Sequence, residues 1–360
     1  MSTLIKSITG REILNSRGKP TVEAELITSN GLVVTASVPS GTSTGKYEAR
    51  ELFDGGKRYA GFGTRKAAEN ISSEINQALC GLDVTDQRSI DKQLIEIDGS
   101  DQKQRLGGNA ILAASMACAK AGALYLGLPV YRYLGGFQAT KLPDIASTVI
   151  SGGAFSPSGL EFEDYLLIIE GLPSFSESVE ALCHMRKILE RICIDRYGAV
   201  AEDGGALAPS MSSTEEAFET ILLAAKDAGY EQHVKLGLDV AANELYLADQ
   251  GIYRMKNHLM DASTLTQYYQ KLVKDFPLIY IEDPFTEDHW DDFAKLTELL
   301  PEVQIVGDDL FATNSVRLAK GISLHAANTL LLKVNQAGTI TEAMDAACLA
   351  IDHRIAITAS

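Results

Sequence analysis

Charged residues stand directly after four short apolar runs in the second half of the chain. They are Asp239 after His233–Leu238, Glu282 and Asp283 after Leu278–Ile281, Asp308 and Asp309 after Val303–Gly307, and Lys333 after Thr329–Leu332. Short, β-branched apolar runs are typical of buried parallel strands. Pro284 disfavours a helical conformation at Asp283, so the chain must turn there. Carboxylates gathered around one amine would suit a divalent cation beside a base.

Helical patterns separate these runs, which indicates consecutive βα units. Neighbouring parallel strands lie roughly 4.8 Å apart, and in a βα barrel the chemistry takes place at the C-terminal ends of the strands. Each residue alone also has a plainer interpretation: a helix N-cap for the aspartates, a surface turn for Glu282 and a solvent-reaching side chain for Lys333. The periodicity does not decide between Asp308 and Asp309.

The N-terminal part shows a different pattern. Alternating residues predict an antiparallel meander, and longer periodic stretches predict helices after it. The expected strands are Ile5–Leu14, Thr21–Ile27 and Gly31–Pro39, and the expected helices are Lys66–Leu79, Thr85–Ile97 and Asn109–Tyr125. Strands followed by helices describe an α+β unit. We therefore expect an α+β domain over residues 1–136 and a larger α/β domain over residues 137–360.

Composition restricts the function classes. A chain of 360 residues with 46% hydrophobic and 22% charged residues is typical of a globular protein with two domains. The net charge of −16 argues against nucleic-acid binding, which needs clustered cations. The apolar run Ala110–Leu128 contains Lys120 and many small residues, which favours a buried helix over a membrane span. Five cysteines without close pairs, and no apolar leader, predict a cytoplasmic protein.

A loop of small hydroxylated residues, PSGTSTGKY, follows Val38. A phosphate-binding P-loop is disfavoured, because the spacing between Gly41 and Gly45 is short and Tyr47 stands where that motif needs Ser or Thr. The remaining interpretations are a plain hydrophilic connection and a mobile lid whose Ser43 reaches a ligand or metal.

Seven stretches between residues 11 and 343 resemble the enolase family, whose members interconvert 2-phosphoglycerate and phosphoenolpyruvate. In order they are REILNSRGKPTVE, VPSGTSTGKYEA, LGGNAILAASMA, LGLDVAANE, YIEDPFTEDHW, QIVGDDLFATN and LLLKVNQAGTITEA. The resemblance implies an α/β fold with an enolase-like (β/α) barrel behind a smaller α+β domain. It also implies a phosphorylated carboxylate as substrate, and a homodimer or a higher homo-oligomer.

The same resemblance implies roles for individual residues. It places Mg²⁺ on Asp239, Glu282 and Asp308, and it puts Ser43 on a lid that helps to hold a second Mg²⁺. Lys333 would be the base that removes the proton next to the substrate carboxylate. Metal charge nearby is expected to lower the pKa of Lys333 and so make it a usable base. Glu282, Asp308 and Lys333 would also contact the substrate.

Several positions depart from the family pattern. The family's Gln-Glu pair is Glu163-Asp164 here, and its Asp-Glu-Gly-Gly motif is Glu202-Asp203-Gly204-Gly205. Asp164 and Asp203 therefore match catalytic glutamates with side chains one methylene shorter, and we expect them to assist loss of hydroxide, with Glu163 and Asp164 in contact with substrate. Phe155 stands where enolases have a histidine.

The family's His-Arg-Ser motif, expected after the strand Arg354–Thr358, is not present before Ser360. We therefore expect a barrel that is incomplete at its C-terminus. The strands that flank Gly152 and Gly153 are expected to form either a hairpin or two strands of the barrel. The leading hypothesis is Mg²⁺-dependent dehydration of 2-phosphoglycerate in glycolysis or gluconeogenesis. The alternatives are an impaired enolase-like binding or scaffold protein that keeps a metal site, and a related lyase acting on another carboxylate.

Overall fold

The N-terminal part begins with an antiparallel sheet. In the computed structural model, which describes residues 3–41, 45–153, 156–256 and 258–360, this sheet contains β1 (Ile5–Leu14), β2 (Pro20–Thr28) and β3 (Val33–Ser37). The central strand β2 pairs with both neighbours, and its Val22, Ala24 and Leu26 are fully buried. The predicted meander is confirmed. Ser43 and Phe155 lie outside the described residues.

Helices cover the buried face of this sheet. They are α1 (Arg65–Asn70), α2 (Asn76–Leu79), α3 (Gln87–Asp98), α4 (Gly108–Tyr125) and α5 (Val130–Gly135), with a π-helical turn at Ile71–Ile75 between the first two. Helix α4 is rich in alanine and is buried on nearly all sides, as predicted from its sequence. Among the described residues no single helix has the length and apolarity to cross a membrane; α4 reaches them only jointly with Val130–Gln138, across a bend of 92°.

The second part of the chain alternates strands and helices. Its strands are β4 (Ile145–Ser151), β5 (Asp164–Ile169), β6 (Ala201–Asp203), β7 (Ala206–Ala208), β8 (Val234–Asp239), β9 (Tyr246–Leu247), β10 (Ile252–Arg254), β11 (Leu259–Met260), β12 (Leu278–Glu282), β13 (Gln304–Gly307), β14 (Thr329–Leu332) and β15 (Ala356–Ala359). Its helices are α6 (Phe175–Tyr197), α7 (Thr214–Asp227), α8 (Ala242–Leu245), α9 (Ala262–Asp275), α10 (Trp290–Leu299), α11 (Ser315–Leu324), α12 (Val334–Ala337) and α13 (Ile340–Asp352).

Nine of these strands form one curled sheet in the order β15-β14-β13-β12-β8-β5-β4-β7-β6. Strands β8 and β12 to β15 run parallel, whereas β5 is antiparallel to both β4 and β8. Of the two arrangements expected around Gly152 and Gly153, the antiparallel pair β4 and β5 confirms the hairpin. Within the described ranges no strand pairing joins β15 to β6, so the sheet is an α/β barrel wall that stays open between these two strands.

Apolar side chains pack on both faces of the curled sheet. The outer face, toward the helices, contains residues such as Leu236, Ile281 and Ile305. The inner face carries a separate small cluster, Leu166, Ile168, Tyr280, Val306 and Leu331. Because side chains alternate along a strand, the residue two positions beyond each inner residue points to the same side. The inner apolar cluster therefore lies directly below the side chains at the strand ends.

Glu12 joins β1 to the start of α1. Its carboxylate accepts hydrogen bonds from Arg58 Nη1 at 2.7 Å and from the Thr64 amide at 2.7 Å. These contacts, that of Arg58 first, hold the pKa of Glu12 near 2, below its ordinary 4.5. A carboxylate with a depressed pKa stabilises the fold above its unfolded pKa and loses that contribution as the pH falls through its folded pKa.

We expect Glu12→Gln to unfold more easily than the wild type above about pH 5 and by a much smaller margin near pH 2, because about half of Glu12 is protonated at its folded pKa and has lost the same interaction. Denaturant unfolding followed from pH 6 to pH 2 measures this convergence. Glu69→Gln, at an exposed position, is the matched control. A difference that stays constant over the whole range would show that the charge on Glu12 contributes nothing.

Candidate active site

Alternation along the strands places the predicted residues on one side of the sheet. Asp164 lies two residues before Leu166, Glu282 two after Tyr280, and Asp308 and Lys333 two after Val306 and Leu331; these four partners belong to the inner apolar cluster. On β8 the inner position below Asp239 is Gly237, where a Cβ would lie 3.1 Å from that of Leu166 and 3.3 Å from that of Tyr280. The glycine lets the neighbouring side chains close over β8.

Three carboxylates form a row across adjacent strands. Asp239 pairs in register with Asp164 on one side and with Glu282 on the other. Strand β5 is antiparallel to β8, so its first residue lies at the same edge as the last residue of β8 and β12. The strand ends thus concentrate negative charge at the edge that the sequence predicted.

One cavity of about 360 Å³ lies above this row. Its wall contains Glu163, Asp164, Asp239, Glu282, Asp308 and Lys333. The structure therefore brings together every predicted site residue apart from Asp203, which lies beside it, and Ser43, which is outside the described part of the chain. The N-terminal part contributes Ser40, Gly41 and Glu48 to the same wall.

Lys333 is held by the carboxylates around it. Its ammonium nitrogen lies 2.5 Å from Asp308 Oδ2. Burial alone would lower the pKa of Lys333, but the charges of Asp308, Glu282 and Asp239 outweigh burial and raise it. Without a metal, the lysine is a cation in this pocket. The shift is opposite to the one expected from metal charge, so a base function requires these carboxylates to be neutralised by another positive charge.

Burial and mutual repulsion disfavour the charged form of the carboxylates in the site. Burial and the Asp308 charge raise the pKa of Glu282 to about 8, although Tyr280 donates a hydrogen bond to it at 2.6 Å. Burial, with Glu282 and then Glu163, raises the pKa of Asp239 well above its usual range. Burial and the adjoining Asp164 raise the pKa of Glu163 to about 7. Mutual repulsion in a buried site is relieved by protons or by a cation.

The donor set fits magnesium. Asp239, Glu282 and Asp308 offer only hard carboxylate oxygens, the ligands that Mg²⁺ prefers. Among the described residues, the group whose carboxylate oxygens all lie within 4.8 Å of one another is Asp283, Asp308 and Asp309, which shares only Asp308 with the three predicted ligands. Asp239 and Glu282 line the same cavity as this group.

Asp283 has a structural role in the group that it forms with Asp308 and Asp309. Its backbone is left-handed, with φ of 39°. Its two carboxylate oxygens accept the amides of Asp308 at 3.0 Å and Asp309 at 2.7 Å. These bonds hold the turn after β13, from which the side chains of Asp308 and Asp309 leave in different directions.

The two adjacent aspartates then meet different partners. Asp308 faces Lys333 and Gln336, whereas Asp309 accepts a hydrogen bond from Asn243 Nδ2 at 2.8 Å. Asp309 also lies under Gly45, where a Cβ would come within 2.5 Å of Asp309 Oδ1. The contact with Lys333 thus distinguishes Asp308 from Asp309, a distinction that the periodicity of the sequence could not make.

Asp203 lies beside the main cavity. It accepts a hydrogen bond from Ser151 Oγ at 3.2 Å and lines a smaller cavity of about 140 Å³. That cavity also contains Arg17, Glu163 and Asp164, so it adjoins the main one through two shared carboxylates. Asp164 in turn accepts a hydrogen bond from Thr148 at 2.9 Å, and burial raises the pKa of Asp164. Both shortened side chains therefore face a common space.

The end of the hydroxylated loop is attached to the barrel. Lys46 Nζ lies 3.1 Å from Asp288, and the Tyr47 hydroxyl donates to the same carboxylate at 2.9 Å. The guanidinium of Arg317 stacks 3.7 Å from the centre of the Tyr47 ring. These contacts hold residues 45–48 beside the strand ends, where Glu48 lines the main cavity.

We expect Mg²⁺ to bind more weakly as the pH falls from 8 to 6. A proton on Glu282, whose pKa is about 8, competes with the metal for this carboxylate, and a proton on Glu163, whose pKa is about 7, removes a neighbouring negative charge. Each displaced proton changes the affinity by about tenfold per pH unit over the range in which it titrates. Calorimetry of Mg²⁺ binding in buffers of different ionisation enthalpy counts the released protons. Binding that releases none at pH 7 would contradict these pKa shifts.

The sequence did not indicate Glu48 or Gln336 as residues of the site, and it did not indicate the structural role of Asp283. Glu48 and Gln336 are 7% and 3% exposed and lie in stretches that resemble enolases, but neither is a charge at a strand end. Only the matching stretches themselves could have indicated them.

Comparison with known proteins agrees with this geometry. Family models described as "Enolase, N-terminal domain" and "Enolase, C-terminal TIM barrel domain" match residues 5–134 and 139–360. The enolases of Methanothrix thermoacetophila and Methanopyrus kandleri are each 45% identical, over 100% and 99% of this chain and 86% and 85% of their own lengths. The enolase of Pyrococcus furiosus is 46% identical over 95% of this chain and 81% of its own. The chain belongs to the enolase family and is a lyase of the enolase type.

Proposed function

We propose that this protein catalyses the Mg²⁺-dependent dehydration of 2-phosphoglycerate to phosphoenolpyruvate. The observation that carries the proposal is the position of Lys333, which lies 2.5 Å from Asp308 in a cavity that Asp164, Asp239 and Glu282 also line. A lone lysine in a carboxylate cluster suits the removal of a weakly acidic proton next to a carboxylate. The names of the related proteins support the same reaction.

Lys333 acts first. As an uncharged amine it takes the proton from the substrate carbon that bears the phosphate and the carboxylate. Asp239, Glu282 and Asp308 would hold the Mg²⁺, whose charge would weaken the field that keeps a proton on Lys333 and would stabilise the charge that develops on the substrate carboxylate. The inner apolar cluster below the site excludes water and so strengthens these interactions.

The second half of the reaction removes the hydroxyl group from the neighbouring carbon. The bond to that hydroxyl breaks as the carbon–carbon double bond forms, and a proton from a carboxylic acid converts the departing hydroxide to water. Asp203 and Asp164 face the space where this group would lie. Glu163, with a pKa of about 7, is able to hold a proton at neutral pH and to supply it to this pair.

The test is phosphoenolpyruvate formation from 2-phosphoglycerate by the purified protein, with and without Mg²⁺. Turnover that requires the ion supports the proposal. Tight Mg²⁺ binding without turnover of 2-phosphoglycerate would contradict it and would favour a binding or scaffold protein. Turnover of a different 2-substituted carboxylate in place of 2-phosphoglycerate would favour a related lyase.

The proposal also includes a setting and an assembly. We propose that the reaction belongs to glycolysis and gluconeogenesis in the cytoplasm, and that the chain forms a homodimer or a larger homo-oligomer. Its substrate is a small phosphorylated carboxylate, with no nucleic-acid or membrane partner. Sedimentation of the purified protein measures the assembly directly.

A further inference from the structure

Gln336 joins three parts of the molecule at the edge of the cavity. Its side-chain nitrogen donates to Asp308 Oδ1 at 2.6 Å and to Glu48 Oε1 at 3.3 Å, and its side-chain oxygen accepts from Thr313 Oγ1 at 2.9 Å. Its backbone oxygen accepts the amide of Ala49 at 2.8 Å. The residue is 3% exposed. A buried amide that is paired at both ends has little freedom to turn.

The chemistry of this position calls for an uncharged donor. Two carboxylates, of Asp308 and Glu48, face the same end of the side chain, and only the amide nitrogen can donate to both. The hydroxyl of Thr313 fixes the opposite, carbonyl end, and it also accepts the backbone amide of Lys333 at 2.9 Å. A glutamate here would place a third carboxylate against the first two.

Gln336 also determines how Asp308 is presented. Lys333 donates to Oδ2 of Asp308, and Gln336 donates to Oδ1. Two donors on opposite oxygens fix the plane of the carboxylate, while each oxygen keeps a second lone pair for another partner. Loss of a group that orients a metal ligand in this way typically weakens metal binding by about 10- to 100-fold.

We propose that Gln336 is a positioning residue that couples the segment 45–49 of the N-terminal part to the cation site at Asp308. The inference rests on the metal site of the proposed function. Glu48, which accepts a hydrogen bond from the side-chain amide of Gln336, also accepts one from the backbone amide of Gly45 at 2.9 Å. Gln336 therefore contacts both Asp308 and the residue that holds the start of this segment. Because coupling between two sites is reciprocal, Mg²⁺ binding stabilises residues 45–49, and an ordered segment strengthens Mg²⁺ binding.

Gln336→Met tests this coupling, because methionine keeps the length of the side chain and removes its hydrogen bonds. We expect Mg²⁺ to bind about 10- to 100-fold more weakly by calorimetry, the range typical for residues that orient a metal ligand. In hydrogen exchange, Mg²⁺ should slow the exchange of residues 45–49 in the wild type and have little effect on them in the variant. Gln104→Met, at an exposed glutamine, is the matched control and should behave as the wild type.

A dissociation constant within twofold of the wild type, with unchanged Mg²⁺-dependent exchange at residues 45–49, would overturn the proposal. If Gln336→Met does not fold, Thr313→Val decides by the same two measurements, because it frees the carbonyl end of Gln336 and should weaken Mg²⁺ binding several-fold. Neither measurement requires turnover. A protein that binds Mg²⁺ with this coupling but does not dehydrate 2-phosphoglycerate would contradict the proposed function and leave this inference supported.

Discussion

Replacing Lys333 with alanine should lower kcat for phosphoenolpyruvate formation by about 10²- to 10⁴-fold, the range that a positioned general base contributes. The structure offers no substitute at the same place, since the wall of the main cavity is otherwise acidic, uncharged polar or apolar in the described residues. The same variant should bind Mg²⁺ at least as tightly as the wild type, because a positive charge leaves a site whose remaining charges are carboxylates. Initial rates at saturating Mg²⁺ and calorimetry measure these two effects separately.

Lys92→Ala is a suitable control for this variant. Lys92 is exposed and pairs with Glu96 on the surface at 3.7 Å, so its removal should leave both readings unchanged. A loss of Mg²⁺ affinity in Lys333→Ala as large as its loss of rate would contradict the role of Lys333 as base, because it would show that the lysine mainly maintains the metal site.

The second large effect concerns the metal ligands. Asp239→Asn and Glu282→Gln should each weaken Mg²⁺ binding by more than about 100-fold, the upper range for residues that only support a ligand. The metal-free forms should at the same time become more stable than the wild type. Burial and neighbouring carboxylates raise the pKa of both groups, which means that their charges are unfavourable in the folded state. Calorimetry and thermal unfolding in the presence of a chelator measure the two opposite changes.

Asp249→Asn, in an exposed turn, is the matched control for the ligand variants. The stability gain has a defined pH dependence: it should be largest above about pH 8, where Glu282 is ionised, and should shrink as the pH falls and the wild-type carboxylates take up protons. Metal-free variants that are less stable than the wild type at pH 9 would contradict the electrostatic account of the site.

The strand ends in the second part of the chain were predictable because each short apolar run forms a buried strand and the charged residue after it marks the end of that strand. The runs predicted before Asp239, Glu282 and Lys333 are β8, β12 and β14 in the structure, each within about two residues of its expected bounds. The convergence of these charges follows from parallel pairing and from alternation along each strand. Local pattern and tertiary structure agree here, which is why sequence reasoning succeeded.

Other features depend on contacts that no local pattern records. Asp308 and Asp309 meet different partners at a turn whose two backbone amides donate to the carboxylate of Asp283, a residue on another strand end. The position of Gln336 depends on Glu48, which is 288 residues away in the chain. The raised pKa of Lys333 is a sum over three carboxylates on three different strand ends. Long-range pairing of this kind becomes visible only in the folded molecule.

In the proposed reaction, the departures from the family pattern concern the second half. Asp164 and Asp203 have shorter side chains than the glutamates they match, but Thr148 and Ser151 hold them toward a shared cavity. The first half would depend on Lys333 and the expected metal ligands, where the resemblance implies the family's residue types. Proton removal and loss of hydroxide can therefore be examined separately in this protein.

Exchange of the substrate's carbon-bound proton is the most direct measurement of the central claim, that Lys333 removes this proton beside a cation held by Asp239, Glu282 and Asp308. 2-Phosphoglycerate is incubated with the protein and Mg²⁺ in D₂O, and deuterium at that carbon is followed by NMR. We predict exchange in the wild type, retained exchange without phosphoenolpyruvate formation in Asp203→Asn, and none in Lys333→Ala. Exchange at the wild-type rate in Lys333→Ala would contradict the account.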